Sequence, residues 1–348
     1  MRPAFPQEDL DRIVAETGDL WRDLRGSRWF ITGGTGFIGS WLLESIHHAN
    51  LSVGANIEAV VLSRSVQKAV DAAPHLFTSG DISFVEGDVT SFDMNVGALD
   101  VCIHAATDVA DPVRAADYAR IFDVGVTGTR RVLDTAQKNS ASRFLLTSSG
   151  AVYGPQPADL ERIPESYNGA PDPLDYRTAY GQGKRASEWL AASYSERYAM
   201  NVSIARIFAL IGPGLPLDGP FAAGNFIRDA CRGNRIQVRD GRPFRSYLYA
   251  VDACIWLLRI MQDGANQGAY NVGAERAVSI AQLARMIEQA SDLDQCSTEA
   301  DAQVPDAHPS RYIPDTSKAR RELGLVERTS LESGLSSTIN WSRMAAML

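Results

Sequence analysis

The chain lacks the residue patterns that build disulfide frameworks and metal sites. Its four cysteines, Cys102, Cys231, Cys254 and Cys296, contain no Cys-x-x-Cys pair, so no disulfide framework is predicted. Its five histidines show no metal-ligand spacing with cysteine or carboxylate residues, and we expect no metal site. A reducing, cytoplasmic location is the simplest interpretation of this composition.

An excess of positive charge and a long apolar run are also absent. The formal net charge is −8 and the pI is near 5.2, whereas a nucleic-acid-binding surface would be basic. No apolar run approaches the length of a membrane span, and acidic residues such as Glu8, Asp9 and Asp11 are not typical of a signal peptide. We therefore expect neither a nucleic-acid partner nor a membrane partner.

The most informative segment is Ile31–Gly39, whose sequence is ITGGTGFIG. It follows an apolar, strand-like run and leads into the helix-like stretch Ser40–Ile46. A strand, a glycine loop and a helix in this order hold a pyrophosphate at the helix N-terminus. We predict that Gly33 turns the chain, that Gly36 lets the backbone approach phosphate, and that Gly39 lets the helix pack close to the sheet.

Strand-like and helix-like segments alternate from residue 28 to about residue 208. This alternation predicts an α/β fold, a Rossmann-type doubly wound parallel sheet, with a smaller C-terminal substrate-binding lobe. We expect a helical extension over 1–27, with one amphipathic helix from Gln7 to Leu24. We also expect a dinucleotide-binding domain over 28–210, which contains the catalytic residues. The substrate-binding lobe is expected mainly over 211–348 and is interleaved with that domain.

Tyr180 and Lys184 lie four residues apart, which places a phenol and an amine on one face of a helix. A tyrosine that acts as a base near neutral pH needs its pKa lowered by about three units, or about 4 kcal/mol. An ammonium about 4 Å away supplies roughly that amount at an effective dielectric near 20. We therefore expect Lys184 to lower the pKa of Tyr180, and Gly181 and Gly183 to let a cofactor lie against the helix.

Ser149 follows the strand-like run Phe144–Thr147, within the sequence SSGAVYG. A hydroxyl at the carboxyl end of a strand faces the crevice where ligands bind in an open α/β sheet. A serine-rich strand exit is also a common turn, so this motif indicates a function only through its position between the other two motifs. The glycine loop, the serine and the Tyr-x-x-x-Lys pair follow one another as a catalytic constellation would require.

These motifs together resemble the extended short-chain dehydrogenases/reductases, the NAD(P)-dependent nucleotide-sugar epimerases and dehydratases. The resemblance covers roughly residues 28 to 325. It implies a nucleotide-diphosphate sugar as substrate and a homodimer as the assembly. It also implies Ser149, Tyr180 and Lys184 as catalytic residues. The other implied cofactor contacts are Gly33, Thr35, Gly36, Phe37, Ile38, Gly39, Asp88, Val89, Ala105 and Ala106, and the implied substrate contacts besides Ser149 are Asn225 and Arg245.

Several positions depart from the pattern of that family. Arg64 stands at the end of the second strand, where an acidic residue would bind the ribose of NAD and an arginine suits the 2′-phosphate of NADP. We therefore favour NADP(H) and keep NAD(H) as the alternative. Gly150 and Ala151 replace the Asp-Glu pair of the 4,6-dehydratases, which argues against a conventional 4,6-dehydratase.

The sequence thus predicts an enzyme that oxidises and reduces a nucleotide-diphosphate sugar at C4, with 4-epimerisation as the main hypothesis. An NADPH-dependent 4-ketoreductase would use the same groups once, in the reducing direction. A third hypothesis is a sensor that binds dinucleotide without chemistry. The presence of all three catalytic residues argues against such a sensor, which needs none of them.

Overall fold

The structure, a computed structural model, describes residues 2–78, 80–93, 95–108, 117–291, 296–297 and 309–347. Its strands, in chain order, are β1 Arg28–Thr32, β2 Glu58–Ser63, β3 Ile82–Glu86, β4 Val101–His104, β5 Arg143–Ser149, β6 Asn201–Ile207, β7 Leu210–Ile211, β8 Ile236–Gln237, β9 Phe244–Arg245, β10 Leu248–Tyr249, β11 Gly268–Val272, β12 Val278–Ser279, β13 Cys296–Ser297 and β14 Arg311–Tyr312.

The α-helices flank these strands, and short 3₁₀ turns and one π-helical turn, Val124–Gly128, connect them. In chain order the helices are α1 Gln7–Glu16, α2 Gly18–Asp23, α3 Phe37–Val53, α4 Val66–Ala72, α5 Tyr118–Asp123, α6 Thr129–Lys138, α7 Ala179–Tyr198, α8 Ala222–Cys231, α9 Ala250–Asp263, α10 Ile280–Ala290, α11 Ser317–Leu323 and α12 Leu331–Ala346. Within the described ranges, none of them has the length and apolar character of a membrane span.

Seven strands form one parallel sheet in the order β11-β6-β5-β4-β1-β2-β3. The chain proceeds from β1 to β2 and β3 on one side, and then crosses to β4, β5 and β6 on the other. The order therefore reverses between β1 and β4, whose last residues, Thr32 and His104, are paired. Ligands of doubly wound sheets bind outside the carboxyl ends of the strands at such a reversal. The predicted fold class is confirmed.

The central strands are apolar because both faces of the sheet are covered. Along β1, Phe30 packs into one hydrophobic cluster, while its neighbours Trp29 and Ile31 pack into the other. In β4, Cys102 and Ile103 divide between the two clusters in the same way. Successive side chains of a strand point to opposite faces, so a continuous apolar run is the pattern of a strand buried between two helical layers.

The predicted single helix from Gln7 to Leu24 is wrong in one respect, because the structure has two helices there. Thr17 separates α1 from α2, and its hydroxyl donates to the carbonyl of Ile13 while its φ is −121°. The hydroxyl thus satisfies a carbonyl of the last turn of α1 and favours an end to the helix. On the other face of α1, Arg12 forms an ion pair with the buried carboxylate of Asp252 in α9.

The first residues of the chain meet its last helix. The ring of Phe5 stacks on Trp41 of α3 at a centroid distance of 4.2 Å and meets Trp341 of α12 edge-on at 5.7 Å. The Trp341 indole donates to the carbonyl of Ala4 at 3.0 Å. The N-terminal extension is therefore packed into the main hydrophobic cluster, between two helices that lie far apart in sequence.

The C-terminal part of the chain contributes to both regions of the molecule. Strand β11 lies at the edge of the large sheet, whereas β9, β12 and β14 form a small sheet of their own. Asn271 of β11 joins three segments: its amide donates to the carbonyls of Ile163 and Asp315, and its Oδ1 accepts from the Tyr153 hydroxyl. The predicted division of the chain at residue 210 stays a prediction.

Candidate active site

The glycine loop lies at the reversal of strand order. Gly33 has a φ of 71°, and a Cβ atom there would lie 2.5 Å from the backbone of Ala105 and Ala106. The amide of Ala105 donates to the Thr32 carbonyl at 3.1 Å. Only glycine fits both this left-handed conformation and this close approach. The loop and the predicted strand end at Ala105 and Ala106 are thus brought together.

The rest of the loop is shaped to receive a ligand. Thr35 and Gly36 are exposed, and a Cβ at Gly36 would have only the Gly33 carbonyl nearby, at 3.3 Å. Helix α3 begins directly after Gly36, so Phe37 and Ile38 lie in its first turn, where backbone N–H groups have no partner within the helix. These groups and the helix dipole favour an anion, and the loop therefore fits a dinucleotide pyrophosphate.

Gly39 serves a different purpose from the predicted one. A Cβ atom at Gly39 would overlap the Gly33 carbonyl and the Cα of Gly34, both in the loop itself. The close approach is therefore between α3 and its own preceding loop, and not between the helix and the strands of the sheet. Because Gly39 has no side chain, the loop can fold tightly against the first turn of α3, and its outer edge stays open.

Asp88, the predicted adenine contact, is held firmly at the end of β3. Its Oδ1 accepts from the hydroxyl and the amide of Thr90, and its Oδ2 accepts from Arg120 at 2.8 Å. These hydrogen bonds, those of Thr90 first, hold the pKa of the Asp88 carboxyl well below its ordinary value. The neighbouring Val89 is buried, and a Cβ at Gly128 would touch it at 3.1 Å.

Arg64 lies beside a carboxylate that the sequence did not single out. Its guanidinium is 3.5 Å from Oδ1 of Asp108, and its side chain is 66% exposed. The other oxygen of Asp108 lies 3.3 Å from Nε of Arg120. Two arginines thus flank one carboxylate near the predicted ribose position, and an incoming phosphate would compete with Asp108 for them.

Tyr180 and Lys184 stand one helical turn apart at the start of α7. The Lys184 ammonium is buried, donates to the carbonyl of Thr147 at 2.7 Å, and lies 5.8 Å from the centroid of the Tyr180 ring. Thr147 precedes Ser148 and Ser149 at the end of β5. Helix α7 and strand β5 therefore bring the three predicted catalytic residues to the same edge of the sheet.

The prediction that Lys184 lowers the pKa of Tyr180 below its ordinary value is wrong when only the protein side chains act on the phenol. Burial raises the pKa of Tyr180, and hydrogen bonding with Ser149 and Thr107 opposes that effect only in part. The Lys184 ammonium is directed at the Thr147 carbonyl, and burial lowers its own pKa to about 8 while the charge of Glu188 raises it. Desolvation is the largest effect on the pKa of both groups, and it cannot be deduced from residue spacing.

The expectation that Gly181 and Gly183 make room for a cofactor is also wrong. A Cβ at Gly181 would lie 2.7 Å from the Ala151 carbonyl, so this glycine admits the turn after β5. A Cβ at Gly183 would meet the backbone of Phe122 and Gly125 at 3.6–3.7 Å. Gly181 therefore allows α7 to pack closely on the turn after β5, whereas a methyl group at Gly183 would make only ordinary van der Waals contacts with protein backbone.

Tyr312 is a site residue that the sequence did not reveal. Its hydroxyl lies 3.5 Å from Oγ of Ser149, and a Cβ at Gly150 would lie 2.5 Å from that hydroxyl and 2.6 Å from the ring of Phe208. Burial raises the pKa of Tyr312, which keeps the phenol neutral. The only sequence signal was its place just before Asp315-Thr316-Ser317, and spacing alone could not place it beside Ser149.

Of the two predicted substrate contacts, described interactions connect only one to this centre. Burial raises the pKa of Tyr312 and the charge of Arg245 opposes that effect in part, while Nη1 of Arg245 donates to the carbonyl of Phe244 at 2.8 Å. Asn225 lies on α8, where its Oδ1 accepts from Arg228 at 3.2 Å. Both roles remain predictions.

A second set of polar residues lies behind Ser149. Ser148 donates to Glu188 at 2.6 Å, and Arg206 of β6 binds both oxygens of Glu188. Glu188 and Arg206 also line a cavity of about 700 Å³ on the other side of α7, to which Ser149, Tyr180 and Lys184 do not contribute. Glu188 follows Lys184 by four residues, so helical spacing could have identified it.

Comparison with known proteins places this geometry in a family. The model of the NAD dependent epimerase/dehydratase family matches residues 29–273. The chain belongs to that family. UDP-glucuronic acid decarboxylase 2 of Arabidopsis thaliana is 29% identical over 331 residues, which are 94% of this chain and 71% of that protein. The family consists of extended short-chain dehydrogenases/reductases that bind NAD(P) and act on nucleotide sugars.

Solved structures share the fold. A UDP-glucose 4-epimerase from Thermotoga maritima, determined with UDP-glucose, has a TM-score of 0.78 at 21% identity and covers 92% of this chain and 99% of its own. A dTDP-glucose 4,6-dehydratase from Streptomyces venezuelae, determined with NAD, has a TM-score of 0.78 at 23% identity and covers 91% of this chain and 97% of its own. At 21–23% sequence identity, these structural similarities establish the fold of the chain.

Replacing Gly36 with valine tests the glycine loop. Gly36 has an extended conformation, with φ −80° and ψ 178°, which valine readily adopts, so the variant should fold. Its branched side chain would fill the exposed approach to the α3 N-terminus, and dinucleotide binding should be lost. Titration of NAD(P)H fluorescence measures binding, and thermal unfolding checks the fold. Gly39→Ala is the contrasting variant, since it should destabilise the loop itself; unchanged affinity in a folded Gly36→Val protein would contradict the assignment.

Proposed function

We propose that this protein is an NAD(P)-dependent enzyme that epimerises a nucleotide-diphosphate sugar at C4. The observation that carries the proposal is the convergence of Ser149, Tyr180 and Lys184 at the strand-order reversal, next to a loop that fits a dinucleotide. A protein that only bound the dinucleotide would need the loop and not these three side chains.

In the proposed reaction Tyr180 accepts the proton of the C4 hydroxyl as that carbon is oxidised, and returns a proton to O4 when the ketone is reduced. A dinucleotide held at Gly33 and Gly36 of the loop would supply the hydride chemistry at C4. Ser149 donates a hydrogen bond to the reacting oxygen. Because burial raises the pKa of Tyr180, a role as base requires positive charge beside the phenol, and the Lys184 ammonium, 5.8 Å from the centroid of the Tyr180 ring, is proposed to contribute only part of it.

The surroundings of Gly150 support epimerisation over 4,6-dehydration. Loss of the C6 hydroxyl as water needs a proton donor, and Gly150 and Ala151 carry no acid. An acidic side chain at position 150 would have to displace the Tyr312 hydroxyl and the Phe208 ring, which occupy the space next to its Cβ position. The neutral Tyr312 phenol instead offers a hydrogen-bond donor or acceptor to a bound sugar.

Decarboxylation is the second candidate, and likeness to the Arabidopsis decarboxylase over 94% of this chain favours it. Oxidation at C4 of a sugar with a C6 carboxylate gives a β-keto acid, which can lose carbon dioxide before C4 is reduced. The same three residues would serve both reactions. Mass spectrometry of the products from UDP-glucose and UDP-glucuronate distinguishes them, because only decarboxylation removes a carbon.

For the cofactor we propose a preference for NADP(H), which rests on Arg64 and its neighbour Arg120. Asp108 lies between the two guanidinium groups, at 3.5 Å and 3.3 Å, so they already coordinate an oxyanion. A 2′-phosphate would offer more charge and more acceptor oxygens than this carboxylate. Such a preference would also favour the alternative of a single reduction by a 4-ketoreductase, in which the cofactor exchanges at each turnover.

Arg64→Ala tests the cofactor proposal. Since a hydrogen bond to a charged group contributes about 1.5–3 kcal/mol, the substitution should weaken NADP(H) binding by about tenfold to a hundredfold and leave NAD(H) nearly unchanged. Fluorescence titration with both reduced dinucleotides measures the effect. Arg22→Ala is the matched control, because that arginine is 72% exposed and distant from the loop. Tighter binding of NAD(H) than NADP(H) by the wild-type protein would refute the preference.

Tyr180→Phe tests the catalytic proposal. The substitution removes one oxygen, so folding and dinucleotide binding should persist while turnover of the nucleotide sugar falls by at least about a hundredfold. Ser149→Ala should cost less, since the base remains. Turnover is measured on the active compound from a screen of UDP-, dTDP-, GDP- and CDP-sugars, including 4-keto forms. Tyr198→Phe is the control, because Tyr198 is 40% exposed and lies at the other end of α7. Wild-type turnover by Tyr180→Phe would end the assignment; binding of dinucleotide without any active sugar would favour the sensor.

We also propose that the protein is a homodimer through the aromatic face of α5 and α7. Phe122 and Trp189 are 39% and 70% exposed and line the same cavity, and Tyr118 packs edge-on against the exposed Tyr176. Exposed aromatic residues in one patch are typical of an interface. Light scattering of the wild-type protein should give twice the mass of one chain. The Trp189→Glu variant should have the mass of a single chain. Leu51→Glu, on α3, should remain dimeric; a monomeric wild-type protein would contradict the proposal.

A further inference from the structure

Glu188 lies one helical turn beyond Lys184 on α7 and forms an ion pair with Arg206. Its Oε2 accepts from Nη2 of Arg206 at 2.7 Å, and its Oε1 accepts from Nε of the same guanidinium at 3.0 Å. The side chains of Glu188 and Arg206 are 13% and 16% exposed. A carboxylate so far removed from water is stable only if its partners remain in place.

The same carboxylate holds the end of β5. The hydroxyl of Ser148 donates to Oε1 of Glu188 at 2.6 Å, and Ser148 is paired in register with Arg206 across β5 and β6. Side chains alternate along a strand, so when Ser148 faces Glu188, the adjacent Ser149 is directed to the other side. There it lies 3.5 Å from Tyr312, in the candidate site. Glu188 thus binds one strand residue and fixes the orientation of the next.

The surroundings of Lys184 contain few charges. From β4 it is faced by His104, whose pKa burial and the Lys184 charge lower to about 3, so this imidazole is neutral. From β5 it is faced by the Thr147 carbonyl, and from α7 by the phenol of Tyr180. Glu188 is the carboxylate that acts on Lys184, and its own counter-ion is Arg206. A buried ammonium loses its proton readily unless an anion opposes desolvation.

We propose that Glu188 is a positioning residue that keeps Lys184 charged and holds Ser149 in the candidate site. The inference rests on the proposed catalytic roles of Lys184 and Ser149. It assigns to one carboxylate both the charge state of the lysine and the geometry of the serine.

The first experiment measures Lys184 without any sugar substrate. The chain has four lysines, Lys68, Lys138, Lys184 and Lys318, so NMR titration of protein labelled with ¹³C at the lysine ε-carbon gives four resolvable curves. Loss of one curve in Lys184→Met assigns its signal. In the wild-type protein we expect a pKa near 8 for Lys184.

Glu188→Gln should lower the Lys184 pKa by about one unit or more, which raises the ratio of neutral to charged lysine about tenfold. The reason is that the variant removes an anion and leaves the Arg206 cation without its counter-ion. Glu188→Asp keeps the charge and should restore most of the wild-type pKa. Glu196→Gln, an exposed glutamate on the same helix, is the matched control and should change nothing. An unchanged Lys184 pKa in Glu188→Gln would overturn the proposal.

The double variant Glu188→Gln with Arg206→Gln guards against loss of folding. It leaves no unpaired buried charge, so it should fold if the single variant does not. Its Lys184 pKa should lie between those of the single variant and the wild type, because both an attraction and a repulsion are removed. The baseline is Arg206→Gln alone: the same Lys184 pKa in the double variant and in Arg206→Gln would overturn the proposal, since the carboxylate would then have no effect.

The second experiment separates this proposal from the proposed function. The charged form of Lys184 exists below its pKa, so sugar turnover should fall as the pH rises through that value, and Glu188→Gln should move this fall to lower pH. A shifted Lys184 pKa with an unmoved pH profile would refute the catalytic role of the lysine charge and retain the electrostatic effect of Glu188. An unshifted Lys184 pKa in an active enzyme would refute the role of Glu188 and leave the proposed function intact.

Discussion

The close approach of the backbone at Gly33 and Ala105 is the constraint on which the rest of the site depends. It occurs where β1 and β4 end side by side, and it leaves no room for a single methyl group on Gly33. The approach fixes the loop that begins α3 and the strand end at Ala105 and Ala106 as one unit. The crevice of the doubly wound sheet is therefore narrow at its base and open to solvent at Gly36.

A chain of side-chain hydrogen bonds carries this arrangement to the catalytic helix. Thr32 bonds to Nδ1 of His104 at 2.7 Å, Nε2 of His104 bonds to Thr129 at 3.0 Å, and Thr129 donates to Ser187 of α7 at 3.0 Å. Ser187 in turn donates to the carbonyl of Gly183, next to Lys184. Each hydroxyl has one proton to give, so the chain runs in one direction only when His104 is neutral and protonated on Nε2. Burial keeps the imidazole neutral, and the donation from Thr129 to Ser187 selects the tautomer.

The parts of the site that could be predicted from sequence are those encoded within one short segment. The glycine loop and the Tyr180–Lys184 pair each combine a local conformation with a local chemical requirement. Tyr312 could not be placed in this way, because it reaches Ser149 from a distant part of the chain through the packing of β14 on β9. The raised pKa of Tyr180 was missed because desolvation depends on what covers a group.

The packing of Phe5 against Trp41 and Trp341 has a consequence for the order in which the chain folds during its synthesis. Trp41 emerges from the ribosome soon after Phe5, but Trp341 lies in α12 and is synthesised much later. Domains of larger proteins fold from the N-terminus as they are translated. Here the segment that contains Phe5 cannot complete its packing until α12 has been synthesised, so the aromatic cluster beside α3 stays open on one side until then.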